Sequence, residues 1–438
     1  MKKKIELKVK ETIKKVFNKE LEIQIETPPK LEMGDFAIPC FNLAEKIGEG
    51  PNKIANQIKS NFPELNFIKE VKVIGPYLNF TIKKKNLFGE TLKSILNSPD
   101  DYFLPSLSEE KVMIEFVSPN NNKPLHLGHV RNACLGDATA KILKSCGKKV
   151  IKTYLINDKG IPIFKNILAW EKWHPNEAPA DIKKKPDHFL GDLYVKYEQK
   201  KKENPNLEEE VQELEKKWEN KDKKTLTEWK MMNDWFLKGF KESIKKLNIS
   251  FDLIQKESEL YKEGKKIVEQ GIEKDLFKKE GEGIIFTLPE DKFGLDPNEK
   301  PKFALLLRND GTSLYLTQDL GVAVKRFKEY NLDQLIYVVG SEQKEHFQRL
   351  FTILEALEYK WSKNCFHLSY GLVDLPEGSM SSRKGNVVTL DELVEKIKKL
   401  AKKEIKKRHE LTEEKIEERS KKIMNAAIKF YLLKVNSS

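Results

Sequence analysis

The sequence predicts an α/β protein built on a doubly wound parallel sheet with a large helical insertion, preceded by a small α+β domain and followed by a helical segment. Three observations predict it. First, residues 112–117 are apolar and β-prone, a helical pattern runs from about Val130 to Ser145 before Gly147 stops it, and residues 150–156 return to a strand pattern. That succession is the strand–helix–strand crossover of a parallel sheet. Second, strand-like runs reappear at residues 303–307, 315–317, 335–339 and 366–369, with helical patterns at 320–330 and 344–357 between them. Third, a Lys- and Glu-rich span of about 170–286 separates these halves and is read as an insertion.

In chain order, residues 1–105 form an N-terminal domain with a helix at 51–62 and a hairpin within 71–82 that turns at Gly75-Pro76. A linker follows around 99–109, marked by Asp100-Asp101 and Pro105. Residues 106–390 form the second domain. Within its insertion Trp170, Trp173, Trp218, Trp229 and Trp235 are read as core anchors, and the charged stretch 208–224 as a solvated helical arm. Beyond Thr389 the pattern is helical and highly charged, so 391–438 is read as a separate helical segment.

A chain of 438 residues can hold two or three domains with their own cores. The net charge of +12 suggests a polyanionic partner, although Lys far outnumbers Arg and many lysines fall on solvated helix faces. Cys40, Cys134, Cys146 and Cys365 lack pair spacing, as expected of reduced thiols in a cytoplasmic protein. The start Met-Lys-Lys-Lys is not followed by the apolar stretch of a signal peptide, and no apolar run reaches membrane-spanning length, so no membrane partner is expected.

The strand at 112–117 runs into Ser118-Pro119-Asn120-Asn121-Asn122-Lys123-Pro124-Leu125-His126-Leu127-Gly128-His129-Val130-Arg131-Asn132. His126 and His129 therefore stand at the mouth of a helix, where unpaired backbone N–H groups and the positive end of the helix dipole favour phosphate. Their side chains add donors that can follow charge developing on phosphate oxygens. Gly128, without a Cβ, lets a flat base lie against the backbone. Zinc is the competing reading of a His-x-x-His pair, but no cysteine or carboxylate cluster lies nearby at ligand spacing, and no metal ligand is assigned.

The run from Ser118 to Asn132 resembles the ATP-binding signature of class I aminoacyl-tRNA synthetases, in the form carried by the arginyl-tRNA synthetase family. The similarity continues in Gly136-Asp137, Asn157-Asp158-Lys159-Gly160, Leu314-Tyr315-Leu316-Thr317-Gln318-Asp319 and Met380-Ser381-Ser382-Arg383-Lys384-Gly385-Asn386, and near the start in Pro28-Pro29-Lys30 and Met33-Gly34-Asp35-Phe36. The resemblance implies a Rossmann-like catalytic domain and an N-terminal domain that touches the tRNA elbow. It implies that L-arginine and ATP, accompanied by Mg2+, give arginyl-adenylate, and that the arginyl group passes to the 3′ adenosine of arginine tRNA. A cytoplasmic monomer is expected. Residues 427–436 are similar to the opening of the family's helical anticodon-binding domain, the rest of which does not follow.

On this basis His126 and His129 contact the triphosphate and its transition state, with Lys123 a mobile cation near the α-phosphate. A second phosphate element lies between Gly378 and Gly385. There Met380, Ser381 and Ser382 contact ATP, while Arg383 and Lys384 close over the phosphates. Ser379 and Ser382 replace the lysines of the usual Lys-Met-Ser-Lys-Ser pattern, which leaves the charge to Lys123, Arg383 and Lys384. A guanidinium needs carboxylates in planar, bidentate geometry beside an aromatic face. Tyr315, expected on a short strand, and Asp319, expected to open the next helix, match the positions that bind it, and Glu115 adds a second carboxylate. Ser118, Asn120 and Gln343 complete the arginine contacts, the latter two at its α-amino and carboxylate end. Gly340, Glu342 and His346 lie at the sheet's carboxyl edge as ribose or adenine contacts. Two other classes fit parts of this pattern. A free-standing nucleotidylyltransferase would need neither the N-terminal domain nor Tyr315 and Asp319. A truncated paralogue would bind tRNA or nucleotide without aminoacylation.

Overall fold

The computed structural model describes residues 1–98, 108–294, 302–371 and 388–434. The second phosphate element, with Met380, Ser381, Ser382, Arg383 and Lys384, lies outside the described residues, as does most of the expected linker. The chain divides between Leu104 and Pro105 into two compact units.

The first unit comprises α1 (Lys2–Phe17), β1 (Phe36–Pro39), α2 (Phe41–Ile47), α3 (Pro51–Asn61), β2 (Ile68–Ile74), β3 (Tyr77–Ile82) and α4 (Lys84–Asn97). Its antiparallel sheet has the order β1-β3-β2, with the expected hairpin between β2 and β3. Ile5, Val9 and Ile13 recur at one-turn spacing on α1 and bury with Ile54, Ala55 and Ile58 of α3 around Leu78 and Phe80 of β3. Asp35 accepts a hydrogen bond from the Ile82 N–H at 2.7 Å, which ties the Met33-Gly34-Asp35-Phe36 turn to the sheet.

The second unit begins with β4 (Lys111–Glu115), α5 (Leu127–Ser145), β5 (Lys149–Ile156), α6 (Ile161–Trp173), α7 (Pro186–Glu203), α8 (Leu207–Glu219), α9 (Lys223–Lys246), β6 (Leu253–Lys256) and α10 (Glu257–Glu273). It continues through β7 (Phe277–Glu280), β8 (Gly283–Thr287), α11 (Glu290–Phe293), β9 (Phe303–Arg308), α12 (Tyr315–Tyr330), β10 (Gln334–Gly340), α13 (Lys344–Ala356), β11 (Cys365–Tyr370), α14 (Leu390–Arg408) and α15 (Glu413–Lys434). Five strands form an all-parallel sheet in the order β11-β10-β4-β5-β6. Successive side chains of a strand point to opposite faces, and both faces are covered. Val112, Ile114, Ile336 and Val338 enter one buried cluster with α5, α6 and α9. Met113, Leu335 and Tyr337 enter another with Leu320 and Phe327 of α12 and Leu350 and Ile353 of α13. Connections leave β4 toward β5 but reach β10 on its other side, so the topological switch point falls between β4 and β10.

Four expectations need correction. Tyr315, Leu316 and Thr317 are not a strand; they open α12, and Asp319 sits one turn inside it. The strand at Phe303 joins a separate antiparallel sheet, β7-β8-β9, and not the parallel one. The span read as insertion also supplies β6 to the edge of the parallel sheet. The stretch 208–224 is not a solvated arm: Leu207, Val211, Leu214 and Trp218 of α8 bury a stripe in the main core, and Asp222 caps α9 by accepting from the Thr225 N–H at 2.9 Å. The tryptophans do serve the core, Trp218 buried and Trp170, Trp173, Trp229 and Trp235 packed against the same cluster.

Helices α10 and α12 cross at a pair of glycines. A Cβ on Gly264 would lie 2.1 Å from the Thr317 carbonyl oxygen, and one on Gly321 would lie 2.3 Å from the Gly264 nitrogen. Only hydrogen at both positions permits this approach, and it fixes the start of α10 beside the start of α12. Helices α14 and α15 add Leu390, Val394, Met424, Ile428 and Leu432 to the main core. Among the described residues no helix is long and apolar enough to cross a membrane.

Candidate active site

Strand β4 leaves the sheet through two residues in the left-handed region, Val117 (φ 73°) and Ser118 (φ 32°). A β-branched residue there is strained, and the surroundings must hold it. Asn132 on α5 does so. Its side-chain oxygen accepts from the Val117 N–H at 2.6 Å, and its amide donates to the Val338 carbonyl at 2.7 Å and the Tyr370 hydroxyl at 2.9 Å. One buried amide thereby joins the exits of β4, β10 and β11, a role that sequence reading did not assign to it. The Ser118 hydroxyl donates to Glu115 at 2.9 Å and accepts from the Leu155 N–H at 3.1 Å. It also holds the loop, tying the end of β4 to β5. The Asn120 side-chain oxygen accepts from Asn157 at 3.1 Å.

His126 is the N-cap of α5 and His129 lies in its first turn, with ring centroids 3.8 Å apart. Nδ1 of His129 accepts from the His126 backbone N–H at 3.2 Å, which leaves Nε2 as the protonated nitrogen of the neutral ring. Burial, with Lys123 adding to it, pulls His126 down to about 4. Burial also holds His129 well below the ordinary histidine range. Both are uncharged donors near neutral pH. A Cβ on Gly128 would sit 3.2 Å from the His126 ring, so the residue between the histidines keeps their stack unobstructed. Lys123 and His126 line a cleft of about 450 Å³ shared with His188 and Tyr194 of α7 and with Thr389.

The segment that follows the second phosphate element is stitched to this loop. The Leu127 N–H donates to the Val388 carbonyl at 3.1 Å and the Leu390 N–H to the Leu125 carbonyl at 2.8 Å. Thr389 and Glu392 cap α14 reciprocally. Asp391 then accepts from Lys185 at 2.7 Å, His188 at 2.8 Å and Lys246. Burial opposes its charge, but these donors hold it below the usual carboxylate range. Asp187, His188 and Asp391 have metal-like spacing. The two ammonium groups supply the positive charge that a metal would bring, so the cluster anchors α14 to α7 and α9.

At the other end Asp319 meets His346 of α13, Nε2 to Oδ2 at 2.7 Å. Burial raises the Asp319 carboxyl above its ordinary range despite that partner. His346, expected at the nucleotide, is thus placed against Asp319. Glu115 has a partner of its own. It forms an ion pair with Arg326, a fully buried residue whose Nε donates to Gln255 at 2.8 Å. Its charge is already matched. Gln343 is exposed in the short 3₁₀ turn after β10. The Glu342 carboxylate folds back over Gly340, 2.3 Å from where a Cβ would be. Tyr315 is exposed at the mouth of a cleft of about 200 Å³ with Gln318, Lys159, Glu215, Glu257 and Arg308. Of these, Glu257, on the first turn of α10, was not singled out by sequence, where it reads as an ordinary helix-start acid.

Comparison with known proteins defines the class first. Residues 91–437 match the profile of tRNA synthetases class I (R), catalytic domain, and residues 3–82 match that of the arginyl tRNA synthetase N terminal domain. An arginine–tRNA ligase of Borreliella afzelii is 42% identical over 421 residues, covering 95% of this chain and 70% of that protein. One of Treponema denticola is 43% identical over 390 residues, covering 88% of this chain and 65% of that protein. The arginyl-tRNA synthetase of Thermus thermophilus has the same fold, with a TM-score of 0.69 at 24% identity over 100% of this chain and 76% of that one. The chain belongs to the arginyl-tRNA synthetase family.

Proposed function

We propose that this chain activates L-arginine with ATP and transfers the arginyl group to the 3′ adenosine of arginine tRNA. The observation that carries the reading is the presence, at one edge of one sheet, of two uncharged histidines at a helix N-terminus and a histidine-held carboxylate, Asp319, on the helix that Tyr315 opens. The two halves suit the two substrates. The α5 N-terminus and the His126 and His129 N–H groups take the triphosphate, which brings its own Mg2+. Asp319 takes the guanidinium, with the Tyr315 ring beside it. An oxygen of the arginine carboxylate attacks the α-phosphorus in line, the mixed anhydride forms, the bond to the bridging oxygen breaks, and pyrophosphate leaves. The displacement needs positioning and charge stabilisation, with no proton transfer.

The N-terminal unit, the family's additional domain, would hold the tRNA elbow, and the basic surface would contribute salt-dependent affinity. Exchange of labelled pyrophosphate into ATP tests the reading. Label is expected to enter ATP when arginine and arginine tRNA are both present, and lysine in place of arginine should support none. Binding of tRNA without any exchange would make the chain a non-catalytic paralogue.

A further inference from the structure

The histidine loop is held from two sides, and both holds lead to α7. On one side a Cβ at Gly191 of α7 would lie 2.8 Å from Cδ of Pro124, so the helix abuts the loop two residues before His126. On the other side the segment 388–390 runs against the loop. Its two backbone hydrogen bonds, at 3.1 and 2.8 Å, flank an antiparallel bridge between His126 and Thr389. The next residue, Asp391, reaches back to α7 and α9.

We propose that Asp391 is a positioning residue for arginyl-adenylate formation, one that fixes the segment 388–390 and through it the stacked pair His126 and His129. The assignment rests on the reading proposed above. Three observations support it. First, the contacts are continuous. Lys185 at 2.7 Å, His188 at 2.8 Å and Lys246 at 2.5 Å donate to Asp391, and the backbone of its neighbours bonds directly to residues 125 and 127. Second, the two rings move as one. His126 caps α5, and its own N–H donates to Nδ1 of His129, so a shift of the loop backbone carries both.

Third, the anchor exceeds what the start of α14 requires. Thr389 and Glu392 already cap that helix, whereas the Asp391 carboxylate is turned onto other elements. Its three donors are charge-assisted and stronger than the backbone bonds they support. Lys185 is itself fixed by Ser243 at 2.5 Å and Asp187 at 3.0 Å, so the point of attachment is rigid. Donors aimed at developing charge tolerate little displacement, and an error of about 1 Å can cost ~10²-fold in rate.

Side-chain substitution leaves the backbone stitch in place but can remove its anchor. The measurement is pyrophosphate exchange by the whole chain with ATP, arginine and arginine tRNA. Asp391→Asn keeps the shape without the charge. It should lower kcat about 10- to 100-fold while KM for ATP and for arginine stays within about 2-fold. Asp391→Glu should restore most of the rate. In protein with labelled histidine, the imidazole NMR signals of His126 and His129 should shift in Asp391→Asn and return in Asp391→Glu. His188→Ala removes one donor, should give a smaller fall in kcat with the same pattern, and serves if Asp391→Asn does not fold.

Unchanged exchange in folded Asp391→Asn would overturn the assignment and leave the arginine reading standing. So would a change confined to KM, or a loss of rate equal to the unfolded fraction with both histidine signals unmoved. Absence of exchange in the unaltered protein would overturn both.

Discussion

Burial acts in opposite senses on the two ends of the site. At the start of α5 it takes the charge from His126 and His129, because the protonated form is the charged one. At the start of α12 and α10 it drives Asp319 and Glu257 toward their protonated forms, because there the charged form is the deprotonated one. Both ends therefore rest closer to neutral than their side chains would in water. In the proposed reading, charge comes with the substrates, a polyanion to one end and a cation to the other. Glu115 shows a different arrangement, a buried acid paired with its own resident arginine.

That contrast can be broken most forcibly at the resident pair. Arg326→Met should destabilise the fold by about 3–5 kcal/mol in urea unfolding, since Glu115 would be left buried without its ion-pair partner. Adding Glu115→Gln should recover most of the loss. A stable Arg326→Met protein with tighter arginine binding would instead mean that Glu115 is available to substrate.

Asp319→Asn should weaken arginine by roughly 2–5 kcal/mol, read as a dissociation constant, with ATP binding intact. Equal loss for both ligands would point to a folding defect.

His126→Ala should slow adenylate formation by ~10²-fold or more at unchanged arginine affinity. The pH profile separates this end from the other. A histidine lowered to about 4 in the fold favours the folded state at neutral pH, and this stability is lost as pH falls from the unfolded value near 6.5 through 4. Adenylate formation should accordingly show no limb near 6.5. A limb at that pH, absent from His126→Ala, would show that the histidine works as a cation.

The smallest effect is expected at the stitch. Thr389→Ala removes the cap of α14 and should cost about 1 kcal/mol of stability, with little change in arginine affinity.

How much was legible in the sequence depended on how local each signal was. The β4–loop–α5 unit could be read because strand, loop and helix are contiguous and their periodicities differ. Tyr315 was misassigned because Leu314-Tyr315-Leu316 is β-prone in isolation, whereas the packing of α12 on α10 makes it a helix start. The buried stripe Leu207, Val211, Leu214 and Trp218 was masked by the Lys and Glu on the rest of the helix. Strand β6, only four residues long, had too little pattern to show. The role of Glu115 depends on an arginine 211 positions away, which no window of sequence brings into view. Asn132 was quoted as part of a motif, but its function appears only once three strand ends are in place.

The backbone stitch between residues 125–127 and 388–390 bears on the order in which this protein is made. The histidine loop leaves the ribosome early, yet the groups that receive the Leu127 N–H and engage the Leu125 carbonyl are synthesised more than 250 residues later. At about 5–20 residues per second that is an interval of roughly 10–50 s. Until then a nascent chain holds its phosphate loop without its last two fastenings. The site is therefore completed by chain elongation, and a prematurely released fragment would carry both signature histidines yet lack the frame that sets them.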